Sequence, residues 1–232
     1  MKKFLITLII LFIYIHWANA AISGYKTVKI AGFTVHISDE ALSHRKEIGV
    51  GLALMKNRLT LISRMKISDE TKTKLKSVPI FVEWNLGNAG AMYHPSKDWL
   101  LSHGYIPEKE KSVEITNLKN FIDWTKLNQP HILTHELSHA YMDKFLTKEE
   151  QESIKSVYQQ ALSDKLYDSV EYTPGGNMIK IKREAYAKTN ELEYFAEISE
   201  AYLGKNDFYP YTRKELEVYD PNGYTLMKSI WK

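Results

Sequence analysis

From Tyr25 to Ser38 apolar and polar side chains alternate on either side of Ala31-Gly32, which predicts two β-strands joined by a tight turn. The period then changes. Between Ala41 and Met65 the apolar residues Ile48, Leu52, Met55, Leu59 and Ile62 recur at helical spacing, predicting one long helix. "VPIFVEW" (Val78 to Trp84) is a compact apolar run expected to form a central strand, and "SVEI" (Ser112 to Ile115) a second strand. A loop-rich stretch from Leu86 to Lys111 separates them, and Asn117 to Trp124 reads as a short helix.

Asn128, with Pro130 in the first turn, is expected to open the next helix, and "TKEE" (Thr147 to Glu150) is a capping box opening another, to about Leu166. "SVEYTPGGNMIKIK" (Ser169 to Lys182) has two strand-like arms about Pro174-Gly175-Gly176, expected to form a hairpin. "TNELEYFAEISEAYL" (Thr189 to Leu203) is a helix capped by Thr189 or Asn190. One or two helices then cover Thr212 to Trp231, broken at Asp220-Pro221. Strands interspersed with helices, without repeats or a long linker, predict one mixed α+β domain over residues 21–232.

The first twenty residues stand apart. Lys2 and Lys3 precede an apolar run of twelve residues, Phe4 to Ile15, and "ANA" (Ala18 to Ala20) follows as a small-x-small cleavage site. Twelve apolar residues fall short of the roughly twenty a bilayer requires. The segment therefore reads as a secretory signal, implying a secreted or periplasmic protein with no stable membrane anchor after cleavage. Without Lys2 and Lys3 the chain has 29 basic and 28 acidic residues, so its charge suggests no nucleic-acid partner. It contains no cysteine, which excludes disulfides, thiolate metal ligands and a cysteine nucleophile.

Candidate chemistry lies in "THELSHAYM", residues 134 to 142. Positions i and i+4 of a helix share a face about 6 Å apart, so His135 and His139 can grip one ion. Glu136, about 100° further round, can reach a metal-bound water without ligating the metal. His131 extends the row to i, i+4, i+8, but its ends are about 12 Å apart along the axis, too far for one ion. Only the pair 135 and 139 has a glutamate directly after its first histidine, which leaves His131 as a polar residue near the helix start.

No histidine follows His139, and Met142 and Phe145 stand where a metzincin pattern needs glycine and histidine. The third ligand must then be a carboxylate. The acidic helix "NELEYFAEISE" offers Glu191, Glu193, Glu197 and Glu200; Glu193, Glu197 and Glu200 fall on one side at i, i+4, i+7, and Leu192, Phe195, Ser199 and Tyr202 on another. An acidic face of this kind is ordinarily solvated, and Glu193 is also spaced to partner an Asn190 cap.

"THELSHA" and "YAKTNELEYFAE" together resemble the catalytic domain of anthrax lethal factor and the related Pro-Pro endopeptidases, and "MYHPSKDWLLSHGY" and "KSVEITN" look like that family's strands before its active-site helix. The resemblance covers about residues 87 to 203. It implies a zincin-like fold, a small mixed sheet packed on the HExxH helix with a second helix carrying the third ligand. It implies one catalytic Zn²⁺ held by His135, His139 and Glu193. Glu197 becomes a supporting carboxylate that orients a ligating histidine, and Tyr186 an active-site hydroxyl donor toward an oxyanion. A thermolysin-like register, with Glu191 as ligand, expects an aspartate near position 195, where this chain has Phe195. The N-terminal hairpin, the long helix and the tail "GKNDFYPYTRKELEVYDP" have no counterpart in the resemblance.

The expected function is that of a secreted zinc metalloendopeptidase acting on a protein or peptide, with Glu136 as general base toward a zinc-activated water. "SVEI" could pair with an extended substrate by β-addition. The competing expectation is an exported zinc-binding or protein-binding module with an inactive site.

Overall fold

A computed structural model describes residues 21–175 and 178–232; the leader of residues 1–20 and Gly176 of the expected turn lie outside them. The hairpin forms as β1 (Tyr25–Ile30) and β2 (Phe33–Ser38), paired antiparallel from Tyr25↔Ser38 to Ile30↔Phe33. Ala31 and Gly32 both take positive φ, 51° and 92°, which matches the turn to the twist of the strands. Then come a short α1 (Asp39–Ser43), the long α2 (Arg45–Ser63) and α3 (Asp69–Lys76). α2 buries Ile48, Met55, Leu59 and Ile62, the stripe read from its periodicity, while Leu52 stays partly exposed.

β3 (Ile80–Val82) lies at the centre of a five-stranded sheet ordered β1-β2-β3-β5-β4, where β4 is Met92–His94 and β5 is Ser112–Ile115. β2, β3 and β5 run parallel, and the flanking strands β1 and β4 are antiparallel to their neighbours. "SVEI" is therefore an inner strand with both edges occupied, which corrects its expected part in β-addition. The open edge on the β5 side belongs to β4, inside the stretch expected to be loop-rich. That stretch also forms α4 (Lys97–Ser102).

The two faces of the sheet differ in chemistry. Val35, Ile80 and Val113 are in register, as are Ile37, Val82 and Ile115, and all six join the apolar cluster that includes Met55 of α2. The same cluster takes in Leu133 and Leu137 of α6 (Ile132–Phe145). On the other face Lys109, 1% exposed, donates to Glu83 at 2.7 Å and also to Glu114. Tyr25 donates to Glu83 at 2.5 Å, and the His94 imidazole meets Glu114 at 2.5 Å. This buried network binds β1, β4 and β5 to the segment before β5.

α5 (Leu118–Leu127) is capped by Asn117 and followed by α6. Asn128 closes α5 rather than opening α6, whose N-cap position is His131. The side chain of Asn128 is used elsewhere, donating to the Tyr172 hydroxyl at 2.8 Å. α7 (Lys148–Ser163) carries the full capping box of Thr147 and Glu150. β6 (Val170–Tyr172) and β7 (Ile181–Arg183) pair antiparallel as a separate ribbon, which the Asn128–Tyr172 bond ties to the α5–α6 junction. α8 (Glu191–Leu203), α9 (Arg213–Tyr219) and α10 (Pro221–Ile230) complete the chain. Asp220, buried at the break between the last two, accepts from Tyr194, Tyr167 and the Gly223 amide, and so fastens α8 to the tail.

α6 and α8 pack closely, and Gly204 at the end of α8 lets them do so. A Cβ there would lie 2.1 Å from Cε1 of the His131 ring. Gly204→Ala should lower the stability of the chain by about 1–3 kcal/mol, since either the half-buried ring or the end of α8 must move to admit the methyl group. Chemical denaturation of the variant checks this; a midpoint equal to wild type would show that the ring is free to swing away. Among the described residues no helix is long and apolar enough to cross a membrane.

Candidate metal centre

α6 supplies the first half of the site. His135 and His139 project from the helix side that meets α8, Glu136 lines the cleft beside them, and His135 and Glu136 are more than nine-tenths buried. α8 supplies the rest. Asn190 caps it by accepting from the amides of Leu192 and Glu193, each at 2.9 Å, which fixes where the first turn begins. The Glu193 side chain is turned toward α6. Its Oε2 stands 3.0 Å from His135 Nε2 and 3.3 Å from His139 Nε2, although more than fifty residues separate them. One atom from each of the three residues lies within 4.8 Å of the others, a grouping able to hold a cation. Glu191 and His131 belong to no such grouping among the described residues; His131 sits apart, 3.4 Å from the Thr134 hydroxyl.

Glu197 and Glu200 lie behind His135, both buried. Glu200 Oε1 is 2.8 Å from His135 Nδ1, whereas Glu197 Oε1 is 3.7 Å away and its Oε2 accepts from the Asn206 amide at 3.1 Å. Contact with the histidine thus falls to Glu200, one of the sequence candidates, rather than to Glu197, the residue the resemblance carried over. Asn206 and Asp207 come from the tail that had no expected role. Of the residues read as the apolar side of this helix, Phe195, Ser199 and Tyr202 are buried, but Leu192 is about half exposed.

The electrostatics follow from crowding acids and imidazoles out of water. Burial by itself would lower the His135 pKa, but hydrogen bonds with Glu193 and Glu200 outweigh it and hold the pKa well above the usual histidine value. Burial would likewise raise Glu193, yet its bonds to His135 and His139 bring it well below the usual carboxylate range. Burial raises Glu136, against the pull of both imidazoles and of the nearby Tyr93 backbone on β4. Burial and the charge of Glu200 raise Glu197 strongly and push Asp207 up to about 7.

Tyr186 opens a single 3₁₀ turn, Tyr186–Lys188, just before α8. Its ring centroid is 6.2 Å from that of His135, and about half its surface is exposed. Burial of the remainder and the negative charge of Glu193 raise its pKa, so the hydroxyl keeps its proton near neutrality. It stands at the edge of a cleft of about 590 Å³ that contains His135, Glu136, His139 and Glu193. Met92, Tyr93, Trp124 and Ile132 form much of the apolar wall. A second hollow of about 340 Å³, with Arg183 and Asp207 in its wall, lies on the other side of Tyr186. Asp207 was not legible as part of the site, because nothing local marks a tail that folds back, and β4 was reached only through the resemblance, which put a strand in "MYHPSKDWLLSHGY".

Comparisons with protein-family models, with curated proteins and with solved structures find no match to this chain.

Proposed function

We propose that this chain is an exported zinc metalloendopeptidase of zincin-like architecture. The observation supporting the reading is the meeting of His135, His139 and Glu193 around one carboxylate oxygen, with Glu136 beside them in an open cleft. Two imidazoles and a carboxylate are a donor set that catalytic zinc sites use. Tetrahedral bonds of 2.0–2.1 Å place ligand atoms about 3.4 Å apart. The separations of 3.0 and 3.3 Å come close to that, so the side chains need only small movements to surround an ion.

Bound there, Zn²⁺ would supply a Lewis acid and lower the pKa of a coordinated water. The protein does the rest. Glu136 accepts the proton of the attacking water and returns it to the leaving amine; its raised proton affinity brings it nearer to the value such a shuttle needs. Tyr186, protonated and at the cleft edge, is placed to donate to the oxyanion. Among the described residues the outer edge of β4 pairs with no other strand, so its backbone can bind an extended peptide along the cleft. The apolar wall beside it favours a peptide over a polar metabolite as substrate.

Metal titration tests the reading directly. The mature chain should bind one Zn²⁺, lose peptidase activity to a chelator and regain it on adding Zn²⁺ back. The pH dependence has a definite sign. Glu193 is already ionised at neutral pH, whereas His135 holds its proton to unusually high pH and must release it to ligate. Zinc affinity should therefore rise with pH through the neutral range, and calorimetry in buffers of different ionisation heat should show about one proton released per ion. Uptake without proton release, or none at all, would count against the site.

A further inference from the structure

The His135 ring is held at both nitrogens by one helix. Nε2 faces Glu193 at 3.0 Å and Nδ1 faces Glu200 at 2.8 Å, two turns apart on α8. Glu197 lies between them in sequence and is also buried, yet it stands off at 3.7 Å because Asn206 holds its other oxygen. His139 has no equivalent support: among the described residues no hydrogen bond reaches its Nδ1, and its one acidic partner is Glu193. The two imidazoles differ in this respect, and the segment after α8 contributes to the difference through Asn206.

We infer that Glu200 is the positioning residue of the site: it takes the Nδ1–H of His135 and thereby leaves the Nε2 lone pair directed at the ion. This inference rests on the zinc reading above. An imidazole free at both nitrogens samples either tautomer and rotates, so only part of its population presents Nε2 as a ligand. A buried carboxylate on Nδ1 selects one tautomer and one ring angle before the metal arrives, and makes Nε2 a stronger donor. Glu197 then serves to fasten the tail through Asn206 and contributes little to the histidine.

The test is Zn²⁺ titration against a chromophoric competitor for the wild type and the variants Glu200→Leu, Glu200→Gln and Glu197→Gln. Glu200→Leu should weaken Zn²⁺ binding about 10- to 100-fold. Glu200→Gln, which retains an acceptor oxygen, should recover most of that loss, and Glu197→Gln should stay within about threefold of wild type. Nitrogen NMR of the zinc-loaded wild type should place the His135 proton on Nδ1, a signature no merely structural role would set. Should Glu200→Leu fail to fold, that spectrum and the glutamine variant decide the matter. Ligation through Nδ1, or a greater loss in Glu197→Gln than in Glu200→Leu, overturns the assignment. A wild type that takes up no Zn²⁺ overturns the zinc reading and this inference together, whereas a wild type that binds as tightly as Glu200→Leu overturns only the inference.

Discussion

Replacing Glu136 by glutamine should leave the zinc content of the chain unchanged and lower kcat/KM on a peptide substrate by about 10²- to 10⁴-fold. Glutamine fills the same volume in the buried position beside His135, so folding and ligation should survive. The variant lacks a group able to take the proton of the attacking water and return it to the leaving nitrogen. A protein that only sequesters zinc would be indifferent to this change, because Glu136 is not part of the His135, His139 and Glu193 grouping. Metal analysis and peptide-library cleavage, run side by side on wild type and variant, give the answer. Equal turnover in the two chains would remove Glu136 from the mechanism, and loss of zinc along with activity would assign it to the coordination shell.

Lys109→Met should have the largest effect on stability, about 3–5 kcal/mol. The ammonium is 1% exposed and lies between the Glu83 and Glu114 carboxylates; methionine matches the stem in length but leaves two charges buried without their partner. For a chain of this size that corresponds to a fall in melting temperature of about 10 °C. If uncompensated charge is the cause, adding Glu83→Gln and Glu114→Gln to Lys109→Met should recover much of the loss, since neutral amides cost far less to bury. A single variant that loses under about 1 kcal/mol would show that water or a rearranged Tyr25 and His94 can neutralise the site. Damage should also reach the cleft, because His94 is held by Glu114 and directly follows Tyr93, which lines the cleft.

Features governed by neighbours a few positions away were legible without coordinates. Alternation about Ala31-Gly32 marks the hairpin, Thr147 with Glu150 the capping box, Asn190 the start of α8, and Asp220-Pro221 the break between the last helices. Features set by encounters between distant segments were not. "SVEI" carries the apolar content of a strand, but no local signal shows that Met92–His94 lies outside it in the sheet. Asn128 has the composition of a helix start and acts as a helix end, because its side chain is drawn to Tyr172 across 44 positions. Lys109 sits in "PEKEK", a run that resembles a solvated surface, and is buried between Glu114 of β5 and Glu83 just after β3.

By itself the sequence determined most of the helices and strands, the placing of His135 and His139 on one helical face, and the restriction of a third ligand to a short list of carboxylates. Spacing of 3.6 residues per turn and the chemistry of caps decide these matters, and both act within a turn or two. The tertiary structure decided which carboxylate faces Nε2, which faces Nδ1, and which strand borders the cleft. Glu193, Glu197 and Glu200 are equivalent along the helix. They become different only when α8 lies against α6 at the distance Gly204 permits and Asn206 draws Glu197 aside, because hydrogen bonds and ligation depend on separations of a few tenths of an ångström.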